Sequence, residues 1–254
     1  MDRGKRCARV AAIACGATAC ALGLASVARA QEDAEPPQSL VTLVAIGALA
    51  ILPFLFMTTT SYVKISVVFS ILRNALGTGQ VPSGTVIAGL SAILTLYVMA
   101  PVGSQIAEVA APAAARIDPA RPLADLDALS AALQAGVEPL RAFLDRNAGD
   151  REQALFLDLA RDARPDDQRD EVGEDDLLVL LPSFLVTELS EAFQIGFLVF
   201  LPFLVVDLVV SNVLASLGMQ SLNPTQISMP FKLLLFVLVD GWYLLARALV
   251  LGYA

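Results

Sequence analysis

Eight charged side chains interrupt otherwise apolar stretches of the sequence, and they are the first candidates for chemistry. Four are basic and four are acidic: Lys64, Arg73, Lys232 and Arg247 against Glu188, Glu191, Asp207 and Asp240. Charges at membrane depth are costly, so they are usually paired or directed into a cavity. The balanced set favours pairing, within one chain or between chains, that holds packed helices together. Two alternatives stay open: helix ends at which the charges reach water, and direct proton or ion handling.

Enzymatic sites are difficult to build from this sequence. It contains no His, which excludes Ser-His-Asp and Cys-His catalysis. Asp207 and Asp240 could share a proton as an intramembrane aspartyl protease pair, but Asp207 lies in a plain Val/Leu run. The Gly-Thr-Gly segment at 77–79 predicts a turn and not a phosphate-binding loop, because no strand pattern precedes it. We therefore expect no enzyme activity, no cofactor and no metal site.

The composition is that of a membrane protein. The chain has 254 residues, of which 56% are hydrophobic and 17% charged, with a mean hydropathy of +0.68. Ordinary soluble domains are roughly 45–50% apolar and about 25% charged. The net charge of −8 argues against a nucleic-acid partner, since binding to phosphates depends on clustered Lys and Arg.

Residues 1–30 have the pattern of a secretory signal peptide. A basic start precedes an apolar stretch of small residues, and Ala28-Arg29-Ala30 has the form that signal peptidase accepts. We expect cleavage between Ala30 and Gln31; a retained first transmembrane helix is the alternative. All three cysteines lie inside this segment, so the mature chain would have neither a disulfide nor a reactive thiol.

The remaining chain divides into three regions by polarity. Residues 31–103 are mostly apolar, residues 104–176 are polar and acidic, and residues 177–254 are apolar again. The middle region contains no Lys, and its acidic residues far outnumber its Arg. Under the positive-inside rule, that composition predicts a periplasmic location.

Four apolar runs approach the roughly 20 residues that a membrane span requires: 40–57, 86–102, 192–217 and 229–253. The run 58–75 is amphipathic, which predicts an interfacial helix or one arm of a hairpin. Five prolines interrupt these runs or lie at their edges, so the freed backbone groups need protein or water partners. The prolines are Pro53, Pro101, Pro182, Pro202 and Pro230.

The acidic region carries its own helical pattern. Leucines and one valine recur at three- and four-residue steps between residues 123 and 144, as on one face of a helix. Gly136 and Pro139 predict a break that divides this helix in two. A further short helix is predicted at 154–159, and the polar run 161–176 predicts a solvated loop. The fold class is therefore all-α: membrane-associated helical hairpins with a small acidic helical segment.

Long stretches of the sequence resemble one known family. ILRNALGTGQVPSGTVIAGL at 71–90 and YVMAPV at 97–102 resemble the first characteristic block of the FliP/SctR family, and VEPLRAFL at 137–144 and ALFLDLA at 154–160 resemble its periplasmic segment. The most specific block is PSFLVTELSEAFQIGFLVFLPFLVVDLVVSNVLASLGM at 182–219, followed by PFKLLLFVLVDGWYLL at 230–245. Members of this family are core membrane proteins of the export apparatus in flagellar and virulence type III secretion.

The resemblance implies an export-gate subunit rather than an enzyme. Family members form a pentameric ring in the inner membrane, together with related small and larger membrane subunits, and the ring is the entrance for unfolded secreted proteins and nucleates the apparatus. Lys64, Arg73, Glu188, Glu191, Asp207, Lys232 and Asp240 are then helix-packing and assembly charges. The rival interpretation is a proton-coupled small-solute membrane transporter, for which broken helices and buried carboxylates would be suitable.

The resemblance also implies a methionine-rich gasket in the loop between the last two helices. Here that loop is GMQSLNP at 218–224, which makes Met219, Gln220, Ser221 and Leu222 the pore residues. Many relatives carry two or three consecutive methionines in this loop, whereas here the loop has one, Met219. A second departure is Ser190-Glu191, where relatives commonly have a basic residue.

Overall fold

The computed structural model describes residues 36–79, 81–116, 126–219 and 221–253. Within these ranges every regular element is helical, which confirms the predicted all-α class. The predicted cleavage site at Ala30 and Gln31, and Gln220 of the predicted gasket, lie outside the described residues. The helices in chain order are α1 (Pro36–Thr59), α2 (Tyr62–Leu76), α3 (Gly84–Ala114), α4 (Leu126–Asn147), α5 (Asp150–Asp162), a 3-10 helix (Asp166–Glu171), α6 (Leu177–Ser216), α7 (Pro224–Leu238) and α8 (Gly241–Leu251).

The described chain divides into two units between Pro53 and Phe54. The described part of the first unit is the apolar beginning of α1. The second unit holds the end of α1 and all later helices. Its α3 runs through the predicted regional boundary at 103, whereas α6 begins at Leu177, where the third region was predicted to start.

Helix α2 lies at the centre of the larger unit. Its apolar residues recur at three- and four-residue steps, so one face is continuously buried. That face packs against α3, α6, α7 and α8, including the rings of Phe203 and Phe236. The buried residues of α2 are Lys64, Ile65, Val68, Phe69, Leu72, Ala75 and Leu76. The amphipathic run 58–75 is thus a core helix whose polar Lys64 is buried along with the apolar face.

A glycine allows α2 and α6 to approach closely. At Gly196 of α6, a Cβ atom would overlap the side chain of Ile71 on α2. The contact between the two helices therefore depends on the missing side chain.

The acidic region packs on the first half of α6. Phe143, Leu144 and Ala148 at the end of α4 form a second core with Leu180 and Phe184. Phe143 and Phe184 rings lie 5.7 Å apart and are tilted by 60°, an arrangement that aromatic pairs favour.

The predicted break in this helix at Gly136 and Pro139 is wrong. Helix α4 continues through both residues, because a proline removes only one helical hydrogen bond while the apolar face remains packed on α3 and α6. Gly136 lies against α3, where a Cβ atom would be 3.4 Å from Ile106.

The predicted loop at 161–176 is also partly wrong. Its middle forms the 3-10 helix, and Val172 is buried with Leu157 of α5 and Val179 of α6. One apolar side chain is thus enough to anchor the otherwise exposed acidic segment.

Four prolines predicted to interrupt or border spans lie inside long helices: Pro53 in α1, Pro101 in α3, and Pro182 and Pro202 in α6. Two described helices, α3 and α6, are long and apolar enough to cross a membrane, and up to four spans result if two bent helix pairs are each one span. The predicted span 229–253 belongs to such a pair, in which α7 and α8 meet at 60°.

Candidate functional site

Lys64 on α2 is surrounded by two carboxylates of α6. Its Nζ lies 2.8 Å from Glu188 Oε1 and 2.6 Å from Glu191 Oε2. Lys64 and Glu188 are buried, whereas Glu191 is half exposed. The spacing of three residues places both glutamates on one face of α6, and the lysine between them relieves their mutual repulsion.

Tyr253, which follows the last helix, completes this cluster. Its ring centroid lies 4.2 Å from Lys64 Nζ, within the range of a cation–π interaction. Its hydroxyl donates a hydrogen bond to Glu188 Oε2. The Glu188 carboxylate oxygen that it meets is a hydrogen-bond acceptor. The hydroxyl therefore stays protonated and acts as a donor.

A second cluster joins α6, α7 and the end of α2. Lys232 of α7 is buried, and its Nζ donates to Asp207 Oδ2 of α6 at 2.6 Å and to the Ala75 carbonyl at 3.0 Å. The Ser228 hydroxyl donates to the other oxygen of Asp207. The last carbonyls of a helix have no partner within it, so Lys232 satisfies one of those of α2. Gly77 then ends α2 in the left-handed conformation, at φ +72°.

The remaining predicted charges are not brought into these clusters. Arg73 lies beside Gly84 at the start of α3, and Asp240 occupies the break between α7 and α8. Neither makes an ion pair with another described residue. Asp207 pairs with Lys232 and Ser228 instead of Asp240, so the described geometry does not assemble the aspartyl protease pair.

The predicted gasket segment forms a short connection between α6 and α7. Gly218 has φ +72° and follows the end of α6, while the Asn223 side chain accepts a hydrogen bond from the backbone of Thr225 and caps α7. The side chains of Met219 and Leu222 are 48% and 42% exposed. Two apolar side chains therefore lie half exposed at the tip of a helical hairpin.

An apolar groove of about 480 Å³ runs between α6 and α7 below this tip. Only apolar side chains line it: Val205, Val206, Val209, Val210, Val213, Leu214, Ile227 and Phe231. In the described part of the chain, no group of three or more acidic, His or Cys side chains is arranged to hold a metal ion.

Comparison with known proteins identifies the relatives of this chain. Residues 45–249 match the FliP family. The chain belongs to the FliP family. The family resemblance read from the sequence blocks is thereby confirmed.

Three FliP-family relatives illustrate the range of their descriptions. The chain is 41% identical over 223 residues to the Yop proteins translocation protein R of Yersinia pestis, covering 85% of this chain and 97% of the relative. It is 42% identical over 211 residues to the hypersensitivity response secretion protein HrcR of Ralstonia nicotianae, covering 81% and 93%. It is 42% identical over 215 residues to the flagellar biosynthetic protein FliP of Pectobacterium carotovorum, covering 85% and 79%.

Sequence reasoning missed three polar groups of this FliP-family site: the Tyr253 hydroxyl, the Ser228 hydroxyl and the Ala75 carbonyl. Ser228 lies four residues before Lys232 and so shares its helix face, a signal that was readable. The positions of Tyr253 and Ala75 depend on contacts across 65 and 157 residues of sequence, for which helical periodicity provides no signal.

Proposed function

We propose that this FliP-family chain is a core membrane subunit of a type III protein-export apparatus, in which several copies surround a pore for unfolded secreted proteins. The names of its relatives support the export role, since they describe protein translocation, secretion and flagellar biosynthesis. The finer elements of the proposal are a pentameric ring, nucleation of the apparatus, and small and larger export subunits as partners. The location is the inner membrane, with residues 104–176 on the periplasmic side.

The α6–α7 hairpin is the observation that carries the pore proposal. Its two arms are joined by the ion pair between buried Lys232 and partly exposed Asp207, whereas its tip exposes Met219 and Leu222. Only 11% of the most apolar stretch of α6 is buried within the chain, so this stretch needs covering by lipid or by other subunits. A constriction formed by several copies requires a hairpin whose base is fixed and whose apolar tip is exposed to the other copies.

The chemistry of the tip suits a seal around varied polypeptides. Met is unbranched and adaptable, so its side chain can follow different surfaces. A narrow apolar ring also excludes ions, because water leaves such a constriction. With one methionine in the loop, Leu222 contributes the second apolar side chain, and Gln220 and Ser221 form the polar part of the proposed gasket.

The gasket predicts a leak when its apolar side chains are removed. The double variant Met219→Gly, Leu222→Gly should raise ion conductance of membranes that carry the assembled complex, since the dewetted constriction widens. Gln226→Ala is the control, because it changes an exposed side chain at the start of α7, outside the proposed gasket. Unchanged conductance in the double variant, with the complex still assembled, would contradict the proposed seal.

A further inference from the structure

Tyr253 holds the end of the last helix in three ways. Its hydroxyl donates to Glu188 Oε2, its ring faces Lys64 Nζ at 4.2 Å, and the same ring stacks on Phe143 at 6.1 Å between centroids. These partners belong to α6, α2 and α4. A single side chain after α8 thus contacts three earlier helices, through residues that precede it by at least 65 positions.

The carboxylate of Glu188 depends on this contact. Its side chain is fully buried, and a buried charge needs partners for both of its oxygens. Lys64 Nζ forms an ion pair with Oε1, and the Tyr253 hydroxyl is the hydrogen-bond donor to Oε2. Lys64 also pairs with the half-exposed Glu191, and the Tyr253 ring lies over its Nζ.

Apart from Tyr253, helix α8 is held by two leucines in the main core and by the Trp242 ring, which lies 6.1 Å from the Phe69 ring and 5.2 Å from the Phe236 ring. Gly241, Leu245 and Leu249 are its buried residues, and most of its remaining large side chains are at least 42% exposed. Elements with few buried contacts open at the low end of the stability range. The ring of Phe236 covers Gly241 so closely that a Cβ atom would overlap it, which fastens the start of α8 to α7.

The other end of α8 is a defined bend. Helices α7 and α8 meet at 60°, and Asp240 between them has φ +53°. Left-handed backbone at a residue other than glycine is uncommon, although Asp is among the residues that tolerate it. The bend therefore supplies a pivot about which the short helix can move as a unit.

We propose that Tyr253 is a latch residue: it locks α8 onto the Lys64–Glu188 pair, and its release lets α8 swing away about the Asp240–Gly241 bend. Release also uncovers the pair to water, so docking of α8 and burial of the pair are coupled. The inference goes beyond the proposed export role and does not depend on it, because it concerns how the chain holds its own last helix.

Trypsin provides a local probe of α8, since Arg247 is the one basic residue in that helix. An isolated helix of 11 residues is marginal on its own, so an undocked α8 unfolds and exposes the bond after Arg247. The cleavage rate therefore follows the population in which α8 is undocked. The measurement is the rate of cleavage after Arg247 in the full chain, purified in detergent with any partner subunits, followed by mass spectrometry. Arginines of the acidic region, such as Arg151 and Arg161, report on general unfolding in the same digest.

Removing the hydroxyl should release the latch without disturbing the cores. A hydrogen bond to a charged group contributes about 1.5–3 kcal/mol, so Tyr253→Phe should accelerate cleavage after Arg247 by roughly 10-fold or more. Tyr253→Ala, which also removes the ring, should accelerate it further. Tyr243→Phe is the matched control, because Tyr243 lies on the same helix, is 58% exposed and makes no hydrogen bond with the described residues.

A double variant distinguishes the loss of the Tyr253–Glu188 contact from a general loss of stability. In a Glu188→Ala background the hydroxyl has lost its acceptor, so Tyr253→Phe should add less than about 2-fold, as coupled residues behave in a double-mutant cycle. Wild-type cleavage rates in both Tyr253 variants would overturn the proposal. So would an equal acceleration at Arg151 and Arg161, or a full additional effect of Tyr253→Phe without Glu188.

Discussion

The buried ion pairs show that a charge in an apolar helix can be a packing device. Lys64 and Lys232 are each buried, and each contacts a carboxylate on α6. The two lysines differ in their other contacts. Lys232 also donates a hydrogen bond to the buried Ala75 carbonyl at the end of α2, and Lys64 lies under an aromatic ring. We propose that both pairs position helices, and that neither carries a reaction.

The Lys64–Glu188 pair predicts a non-additive response to substitution. Lys64→Met leaves the Glu188 carboxylate buried without its cation and should lower the free energy of unfolding by about 3–5 kcal/mol. The double variant Lys64→Met, Glu188→Leu removes both charges and should recover most of that loss, since apolar replacement of a buried pair is often neutral. Unfolding at increasing concentrations of a denaturing detergent measures the free energy of unfolding of the single and the double variant.

Arg247→Gln is the control for the loss of a basic side chain, because Arg247 is exposed and makes no ion pair with a described residue. A double variant as unstable as Lys64→Met alone would mean that the charges do more than pair. If stability recovered but export did not, the pair would have a role in transport itself.

At the scale of elements, α6 organises the larger unit. Its first half packs on α4 and α5, its middle approaches α2 at Gly196, and its second half forms a hairpin with α7. A helix of 40 residues that meets this many neighbours must alternate bulky and small positions along its length. Gly196 is the clearest of these positions.

Substitutions at two glycines should change the stability of the chain in opposite directions. An alanine in a helix is favoured over glycine by about 1 kcal/mol, so Gly103→Ala, which has open space around it, should stabilise the chain slightly. At Gly196 the new methyl group meets Ile71, and overpacking costs about 1–3 kcal/mol. Gly196→Ala should therefore lower the thermal midpoint in detergent while Gly103→Ala raises it. A gain at both positions would show that α2 and α6 can separate freely.

At the scale of the whole molecule, the exposed apolar helices require partners. The proposed ring predicts that native mass measurement of the detergent-purified complex finds five copies together with other export subunits. Asp207→Asn should reduce the assembled fraction, because Lys232 then loses its counter-charge and the α6–α7 hairpin loses the ion pair that joins its two arms. The exposed Asp175→Asn is the matched control. A stable single copy without partners would contradict the ring.

The rival transporter makes a different prediction for the same variant. If Asp207 handled protons, its neutralisation would abolish solute transport while the assembled mass stayed unchanged. The measurement that tests the ring therefore also separates the two functions.

The sequence by itself determined the helical class and the apolar helices, because periodicity and hydropathy are local properties that each stretch of chain carries alone. It also indicated the family, through the resemblance of its long sequence blocks. It also identified Lys64, Glu188, Asp207 and Lys232 as charges that need partners. Tertiary structure alone decided which charges meet, that Tyr253 covers the Lys64 pair, and that α4 continues through Pro139. The reason is physical: helical spacing specifies which residues share a face, whereas the partner of that face is chosen by packing between helices far apart in the chain.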